Sequence, residues 1–478
     1  MPLLDRLRRN AGHHPLILVS NREPFVHKRA ADGSIRVLSP AGGLTSALQP
    51  VMAAVGGTWV AWGSGSADFD VVDQGDVVRV PPRDPSYRLR RLRLTADEVR
   101  GYYIETANRA LWPLCHSQLN RFVYDSANWA IYRRVNERFA AATIAEARGR
   151  AATCWVQDYH LALAPGFLRR VGNVFIHQFW HTPWPTPDIL RVLPPARILL
   201  QGLLGNHLLG LQTQGDVRNF LACVRRFVRG AVVEQGRGVV RLRGRRTHVR
   251  PFPISIDVQA FQELATRAET EALARRVRQE ALPGEGQLLL GVDRADYTKG
   301  IPRRFHAMAR LLHDHPELHR RVTLLQVAVP SRSDVPEYSV FEQEVHALAD
   351  EVNSTFGTPG WIPILLVRQS LDQATLAAYY RAADICFVSP LADGMNLVAK
   401  EFVACQGGRL GVLVLSRFAG AAHEMREALL VNPYDVGATA FSLNRAIRMP
   451  AAERERRLAA LRRRLSRNTI QDWMEDIF

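Results

Sequence analysis

The chain has 478 residues, 47% of them hydrophobic and 23% charged. At about 150 residues per domain this length predicts two or three domains, each with its own core. The composition is that of a globular protein and excludes a disordered chain or a disulfide-stapled miniprotein. The formal net charge is +16, yet only Lys28, Lys299 and Lys400 are lysines, so an arginine-rich composition carries this charge along the whole chain.

The basic charge does not by itself indicate a nucleic-acid partner. Arginine runs at 88–94 and 240–250 alternate with apolar residues and lack interleaved aromatic residues, so we interpret them as solvated faces. No apolar run of about 18 residues predicts a membrane span, and the first residues do not resemble a signal peptide. Five cysteines, an odd number in apolar surroundings, indicate reduced thiols. We therefore expect a cytoplasmic protein with neither nucleic-acid nor membrane partners, and a homo-oligomer remains one alternative.

Short apolar runs alternate with helical patterns along the chain, which predicts parallel strands connected by helices. In the first half the predicted strands are 16–20, 58–62, 153–158, 174–179 and 207–213, with helices at 43–54 and 215–228. After the extended stretch 250–257, strands are predicted at 287–292, 322–330, 364–367, 384–390 and 411–416, and an amphipathic helix at 451–465.

This alternation predicts an α/β protein with two Rossmann-like, doubly wound domains facing a central cleft. We place the first domain at 1–253, the second at 254–455, and a helical segment that closes back on the first domain at 456–478. Ligands of open α/β sheets bind beyond the carboxyl ends of the strands. The cleft is therefore the expected site.

Seven strings occur along the chain in a recognisable order: SNREP with PAGGL, ALWPLCH, QDYHL, HTPWPTPD, DRADYTKG, PSRSDVPEY and DGMNLVAKEFVA. In order and approximate spacing they resemble those of trehalose-6-phosphate synthases, which are retaining glycosyltransferases of the GT-B fold. The resemblance covers nearly the whole chain. It implies glucose transfer from a nucleoside diphosphate glucose, with UDP expected over GDP or ADP, to glucose 6-phosphate, giving α,α-trehalose 6-phosphate without a metal or other cofactor.

Two other functions stay open. Glucosylglycerol-phosphate synthases share part of these motifs and use glycerol 3-phosphate as the acceptor, and a non-catalytic sugar-phosphate sensor could keep the same binding residues. Arg332 in PSRSDVPEY favours trehalose phosphate, because we expect the enzymes with the smaller acceptor to lack it.

At the donor end, a departing diphosphate needs positive charge around it. Arg294 and Lys299 lie five residues apart after the strand 287–292, and the resemblance gives them this role in place of a metal. Their alternative is that of surface cations beside Asp293 and Asp296. The sequence Asp68-Phe69-Asp70 matches the D-x-D motif of metal-dependent transferases, but it lies in a polar stretch and we predict a surface turn.

A helix is predicted to begin near Met395, so the backbone N–H groups of Asn396 and Leu397 can cap an anionic diphosphate. The resemblance places Glu401 on the donor ribose and Asp393 on the glucosyl hydroxyls, whereas plain helix capping is the alternative. The other donor-binding residues expected are Gly42, Gly43, Leu371, Gly394 and Met395. Leu371 stands where the family has an aromatic residue, which leaves base selectivity open.

At the acceptor end, a sugar phosphate calls for more than one guanidinium. Arg22 and Arg332 each follow a predicted strand, one in each domain. The resemblance places Tyr103, Asp158 and Trp112 around the same sugar phosphate, and the two aromatic residues have a core position as their alternative.

The resemblance also places His181 on the transferring glucosyl unit, although His181 could simply hold the turn at Thr182. Together with Asp158, Arg294 and Lys299 it completes the predicted catalytic set. Gln157 replaces the family's histidine, which leaves open how Asp158 is oriented. No carboxylate emerges as a nucleophile for double displacement, so we expect a front-face mechanism in which the leaving diphosphate takes the acceptor's proton.

Overall fold

The computed structural model describes residues 14–39, 43–171, 173–282, 284–332 and 334–478. It divides into two compact units. The first comprises the described residues up to Pro253 together with Glu475–Phe478, and the second comprises the described residues from Ile254 to Met474. In these ranges no helix is both long enough and apolar enough to cross a membrane.

The first unit is built on a ten-stranded sheet in the order β10-β11-β12-β9-β8-β7-β1-β4-β6-β5. Its seven central strands, from β12 to β6, are mutually parallel. The sheet is extended at its two edges by antiparallel pairs, β5 with β6 on one side and β10 with β11 and β11 with β12 on the other. The strands are β1 (Leu16–Val19), β4 (Thr58–Trp62), β5 (Val77–Val80), β6 (Tyr87–Leu92), β7 (Ala152–Gln157), β8 (Val174–Phe179), β9 (Leu208–Leu211), β10 (Val232–Glu234), β11 (Val239–Leu242) and β12 (Arg245–Pro251), with β2 (Val26–Arg29) and β3 (Ile35–Leu38) forming a separate ribbon.

Helices connect these strands. They are α1 (Gly43–Val55), α2 (Ala96–Glu98), α3 (Trp112–Cys115), α4 (Ser126–Ala147), α5 (Ala164–Leu168), α6 (Pro187–Leu190), α7 (Ala196–Leu203) and α8 (Gln214–Phe227), with a π-helical stretch at Val99–Leu111 between α2 and α3. Stretches of π-helix are rare and occur often at functional sites.

The second unit contains a fully parallel six-stranded sheet in the order β15-β14-β13-β16-β17-β18. Its strands are β13 (Gln287–Arg294), β14 (Val322–Val329), β15 (Ile364–Val367), β16 (Ile385–Val388), β17 (Val412–Ser416) and β18 (Leu429–Val431). Its helices are α9 (Val258–Ala265), α10 (Ala268–Ala281), α11 (Ile301–Asp314), α12 (Pro336–Phe356), α13 (Gln373–Ala382), α14 (Leu397–Cys405), α15 (Val436–Ile447), α16 (Ala451–Leu465) and most of α17 (Ile470–Ile477).

The apolar runs form the predicted strands because both faces of a parallel sheet are covered, so that side chains on either face are buried. The predicted strand 174–179 and helix 451–465 coincide with β8 and α16. All five cysteines are buried free thiols, as expected. The interpretation of the arginine runs as solvated faces is only partly right, because residues 88–92 belong to β6, where Arg91 is 1% exposed.

Asp68 lies in a turn, as predicted, and Asp70 in the same turn is exposed, but Asp68 itself is buried with Arg91 in an ionic cluster, which corrects its expected surface position. Asp68 is fully buried, and its Oδ1 accepts a hydrogen bond from the His27 backbone N–H at 2.6 Å. Arg91 Nε donates to Glu23 Oε2 at 2.7 Å and its Nη2 lies 3.1 Å from Asp68 Oδ1. Burial and the hydrogen bond with Asp68 raise the pKa of Glu23 to about 8. Asp68 therefore serves the fold and is not a metal ligand on the surface.

We predict that Arg91→Ala lowers the free energy of unfolding by about 3–5 kcal/mol, because it leaves buried carboxyl groups without their cation. Chemical denaturation monitored by circular dichroism measures the loss. Arg93→Ala is the matched control: its pair with Asp76 is exposed, so the change is expected to stay within about 1 kcal/mol. Similar losses in both variants would contradict the structural role assigned to the buried cluster.

Candidate active site

Three predicted site residues of the first unit, Arg22, Asp158 and His181, follow the carboxyl ends of its strands. Arg22, after β1, is exposed, and its Nη2 donates a hydrogen bond to the Tyr103 hydroxyl at 3.3 Å. Tyr103 lies on the π-helical stretch, and its ring stacks on the ring of His160 at 5.8 Å with an interplanar angle of 15°. Tyr103 is half-buried, so the structure does not place it in the core. The guanidinium and the phenol, far apart in sequence, thus form one surface.

Trp112 differs from Tyr103 in its surroundings. It is 6% exposed, with its ring 4.1 Å from that of His116 and 5.7 Å from that of Tyr159. The core alternative therefore describes most of this side chain, and its role as a wall facing the sugar remains a prediction.

Asp158 has an unusual backbone conformation at the end of β7, with φ of 64° and ψ of 178°. Residues other than glycine adopt this region only when their surroundings impose it, at about 1–3 kcal/mol. Here the Asp158 N–H donates to the Phe179 carbonyl at 2.7 Å, and its carbonyl accepts from Gln178 Nε2 at 3.0 Å. Its Oδ1 accepts from the His181 N–H at 3.1 Å. The neighbouring strand β8 and the turn after it therefore hold both the backbone and the carboxylate.

His181 is held from the other side by the residue that departs from the family pattern. His181 Nε2 lies 3.0 Å from Gln157 Oε1, and Gln157 is 1% exposed. The carboxamide oxygen accepts a hydrogen bond from Nε2–H, which leaves Nδ1 as an acceptor. Burial lowers the pKa of His181 to about 3. The imidazole is therefore neutral near pH 7, and Gln157 orients His181 while the His181 backbone orients Asp158.

In the second unit, Lys299 links two loops at the carboxyl edge of the sheet. It follows β13, and its Nζ lies 2.6 Å from Oδ2 of Asp393, which follows β16. Both side chains are 14% exposed. The alternative of a surface cation therefore does not describe Lys299. Arg294, at the end of β13, is 40% exposed and lies 3.7 Å from Asp296 Oδ2.

In the sequence Asp296 stands out only as a neighbour of these cations, but in the structure it is the centre of the cluster. It is fully buried, and its Oδ2 is shared by Arg294 and by Arg332, whose Nη1 lies 3.0 Å away. Burial raises its pKa, but the charges of Arg332, Arg294 and Lys299 outweigh burial and bring it to about 2. In the sequence, only its position between two cations in DRADYTKG indicated that Asp296 interacts with both of them.

Arg332 is thus held more tightly than the sequence suggested. Its side chain is 5% exposed and also donates to the Tyr338 hydroxyl. Because Arg332 and Arg294 share Asp296, the predicted acceptor cation and the predicted donor cation are electrostatically connected.

The helix after β16 begins two residues later than expected. Leu397 is its first residue, and Asn396 is the N-cap, with φ of 85° and its side chain accepting from the Ala399 N–H at 3.2 Å. The Leu397 N–H therefore belongs to the first turn, whereas Asn396 precedes the helix. Asn396 Nδ2 also donates to Asp393 Oδ2 at 3.1 Å. The positive end of the helix dipole, a cation and a carboxylate meet here.

Glu401 lies one turn into α14. The Tyr380 hydroxyl donates to its Oε2 at 2.7 Å, and burial raises its pKa. Among the other expected donor-binding residues, Gly43 begins α1, Leu371 is half-buried before α13, and Gly42 lies outside the described residues.

Two further donor-binding candidates lie in the turn before α14. Met395 is 3% exposed, which leaves mainly its backbone for contact with a ligand. Gly394 packs against Gly420, where an added Cβ would lie 1.9 Å from the Gly394 carbonyl oxygen. This close approach keeps the turn compact.

Comparison with known proteins identifies the family. The model of glycosyltransferase family 20 matches residues 14–478. The trehalose-6-phosphate synthase of Mycobacterium avium (strain 104) is 38% identical over 469 residues, which cover 97% of this chain and 94% of that protein. The trehalose-6-phosphate synthase of Sinorhizobium fredii is 37% identical and covers 96% of this chain and 97% of its own.

Solved structures agree with this match. The α,α-trehalose-phosphate synthase (UDP-forming) of Burkholderia xenovorans, in complex with glucose-6-phosphate, superposes with a TM-score of 0.85 at 32% identity, covering 97% of this chain and 98% of its own. The E. coli protein bound with UDP-2-fluoro glucose superposes with a TM-score of 0.84 at 32% identity, covering 96% of this chain and 97% of its own. The expected GT-B fold class is therefore confirmed, and the chain belongs to glycosyltransferase family 20, among the trehalose-6-phosphate synthases.

Proposed function

We propose that this protein transfers glucose from UDP-glucose to glucose 6-phosphate, giving α,α-trehalose 6-phosphate and UDP. The bond between the glucosyl C1 and the diphosphate oxygen breaks, and a bond forms from C1 to the anomeric oxygen of glucose 6-phosphate. The proton of that anomeric hydroxyl passes to the departing diphosphate. The new bond forms on the face that the diphosphate leaves, so the configuration at C1 is retained.

The observation that carries the donor assignment is the ion pair between Lys299 and Asp393 beside the start of α14. A nucleotide sugar presents a diphosphate next to a ring of hydroxyls. An ammonium and a helix N-terminus suit the diphosphate, and a carboxylate suits the hydroxyls. Lys299 and Asn396 already fix the Asp393 carboxylate. It can therefore accept hydrogen bonds from sugar hydroxyls without first being reoriented.

Charge that develops on the leaving diphosphate is then met by Arg294, Lys299 and the Leu397 N–H. These groups are preorganised, since Asp296 and Asp393 already hold the two cations. Preorganised charge of this kind stabilises a transition state without the reorganisation that water would require. Glu401 is assigned to the ribose hydroxyls, because its buried carboxyl can accept hydrogen bonds that these hydroxyls donate.

In the first unit, Arg22, Tyr103 and Asp158 are assigned to the acceptor. Arg22 supplies a planar fork for the phosphate, and the hydrogen bond to Tyr103 limits its rotamers. Asp158 accepts a hydrogen bond from a sugar hydroxyl, and the backbone N–H of His181 holds its carboxylate in place. Arg332 keeps its predicted role as the second cation for that phosphate. His181, neutral and with Nδ1 as an acceptor, contributes a hydrogen bond to the glucosyl unit rather than a proton.

If Arg294 and Lys299 supply the positive charge, turnover should persist in the presence of a chelator. Lys299→Ala should lower kcat, because removal of a preorganised donor costs about 2–4 kcal/mol of transition-state stabilisation. Steady-state assays of UDP release measure both effects. Lys28→Ala removes the same charge from an exposed position in β2 and should leave kcat unchanged. Strict dependence on a divalent ion would contradict the cationic clamp.

Arg332→Ala should weaken glucose 6-phosphate binding by about tenfold or more, because a hydrogen bond to a charged group contributes about 1.5–3 kcal/mol. Donor binding should also change, by a smaller factor, since Asp296 then keeps only Arg294 and Lys299 as its cationic neighbours. Separate titrations of UDP and glucose 6-phosphate measure the two affinities.

Arg22→Ala is the matched control for Arg332→Ala, because Arg22 does not contact Asp296 and should affect the acceptor alone. Equal losses for both ligands in Arg332→Ala would mean that Arg332 mainly holds Asp296. Unchanged acceptor affinity would remove Arg332 from the acceptor site.

Gln157→Glu should place a carboxylate opposite His181 Nε2 and raise the pKa of the imidazole from about 3 toward its ordinary value. Activity should then fall on the acid side of the profile, where the imidazolium forms, while the wild type shows no titration of this group between pH 5 and about 8. The measurement is kcat/KM against pH. Gln157→Met removes the hydrogen bond without adding charge and should lower activity at all pH values alike. A profile for Gln157→Glu of unchanged shape would contradict the assignment of a neutral His181.

A further inference from the structure

A second concave surface lies at the edge of the first unit, where β10, β11 and β12 meet the start of α8. Its cavity volume is about 440 Å³. Gln214 and Val217 contribute from α8, and residues 234–251 contribute the rest. None of the lining residues is assigned above to the donor or the acceptor.

The strand register places several cationic side chains on the face of the ribbon that lines this cavity. Side chains alternate along a strand, so Arg246, His248 and Arg250 of β12 point to one face. Arg241 of β11 lies directly opposite Arg246. All four line the cavity, as does Arg237 in the preceding turn. Like charges directly opposite each other across two strands destabilise a sheet, so this arrangement lacks a local structural benefit.

The cavity wall contains too little negative charge to neutralise these arginines. Among its lining residues Glu234 is the single carboxylate, and its Oε1 accepts from Arg241 Nε at 2.6 Å. Arg250 is engaged with the carbonyls of Arg237 and Gly238. The side chain of Arg246, in contrast, makes no hydrogen bond or ion pair within the part of the chain that the structure describes.

His248 adds no countercharge. Burial and the charges of Arg250, Arg246 and Arg241 lower its pKa, so the ring is neutral near pH 7. The wall therefore carries four guanidinium groups against one carboxylate, and an anion entering the cavity would relieve repulsion already present in the folded chain.

We propose that this cavity is a binding site for a small, multiply charged phosphate compound the size of a sugar phosphate or a nucleotide. Arg241 and Arg246 present two planar forks suited to phosphate oxygens, with Arg237 adding charge at the rim. The volume lies within the range of about 300–1,000 Å³ for small-molecule sites. The cavity lining contains no aromatic residue on which nucleic-acid bases could stack, apart from the His248 ring, which disfavours a single-stranded nucleic acid.

Isothermal titration of the full chain with inorganic tripolyphosphate tests this proposal. Saturating UDP and glucose 6-phosphate are included, so that the proposed donor and acceptor residues are already occupied and only a further site is titrated. The expected result for the wild type is one molar equivalent of tripolyphosphate. The double variant Arg241→Gln/Arg246→Gln should bind at least about tenfold more weakly.

The matched control is Arg462→Gln/Arg463→Gln in α16, which removes two exposed arginines and therefore the same net charge. Its affinity should equal that of the wild type. Thermal unfolding of all three proteins controls for folding: because Arg241→Gln/Arg246→Gln relieves a like-charge repulsion and loses only the partly exposed ion pair with Glu234, its melting temperature should change little. Arg246→Glu, a single exposed replacement, provides a second variant and should abolish binding by reversing the charge.

Equal affinity in the wild type and Arg241→Gln/Arg246→Gln would overturn the proposal, as would equal weakening in the control. A third titration uses a single-stranded 20-mer oligonucleotide. Binding of this oligomer that depends on Arg241 and Arg246, without such binding of tripolyphosphate, would replace the small-molecule site by a nucleic-acid surface and overturn the proposal as well. Loss of UDP or glucose 6-phosphate binding, measured separately, would instead bear on the proposed transfer reaction.

Discussion

The buried carboxylate of Asp296 is the constraint on which the cationic cluster of the second unit depends. A diphosphate calls for several cations at close range, but cations assembled without a ligand repel one another. Asp296 offsets that repulsion, because Arg294 and Arg332 share its Oδ2 and Lys299 adds a further attractive charge. The same three charges keep the carboxylate ionised despite burial. The cluster can therefore be positively charged toward a ligand and still stable without one.

Strain is the corresponding feature of the first unit. Asp158 is held in a backbone conformation that favours glycine, and its backbone and carboxylate hydrogen bonds run to β8 and the turn after it. His181, in that turn, is fixed in its own orientation by Gln157. The two side chains are thus positioned by one network. Gln157 therefore supports the imidazole directly, whereas the hydrogen bond that holds the Asp158 carboxylate comes from the His181 backbone.

The sequence predicted the parallel core well, because burial on both faces gives apolar runs with few alternatives. Strand β8 was predicted to the residue. Strands β5, β6 and β10 to β12, which lie at or near the two edges of the first sheet, were missed, as were the ribbon strands β2 and β3 and the edge strand β18. Arginine-rich strands such as β6 and β12 resemble solvated loops in the sequence. Whether a charge is buried depends on distant partners, and no local pattern shows that Arg91 meets Glu23 and Asp68 from another part of the chain.

The same limit applies to the site. Motifs singled out Lys299, Asp393 and His181 as candidates, and each lies within a few residues of the end of a strand that periodicity had located. They did not reveal that Arg332 and Arg294 share one carboxylate, since that link joins the ends of β13 and β14 through tertiary structure. Nor did they predict the π-helical stretch that carries Tyr103, whose backbone geometry is set by packing rather than by composition.

The three lysines show how the site is built within an arginine-rich chain. Lys28 is exposed on β2, but Lys299 and Lys400 are not. Lys400 is buried, with its Nζ 2.8 Å from both the Ile254 carbonyl and Glu424 Oε2. A compact ammonium reaches two unrelated acceptors in different directions, which a planar guanidinium of fixed geometry does poorly. Lys299 meets the same requirement beside Asp393, where one N–H is used by the carboxylate and the others remain suitable for phosphate oxygens. The two lysines that are not exposed therefore stand where one charge serves acceptors on more than one side.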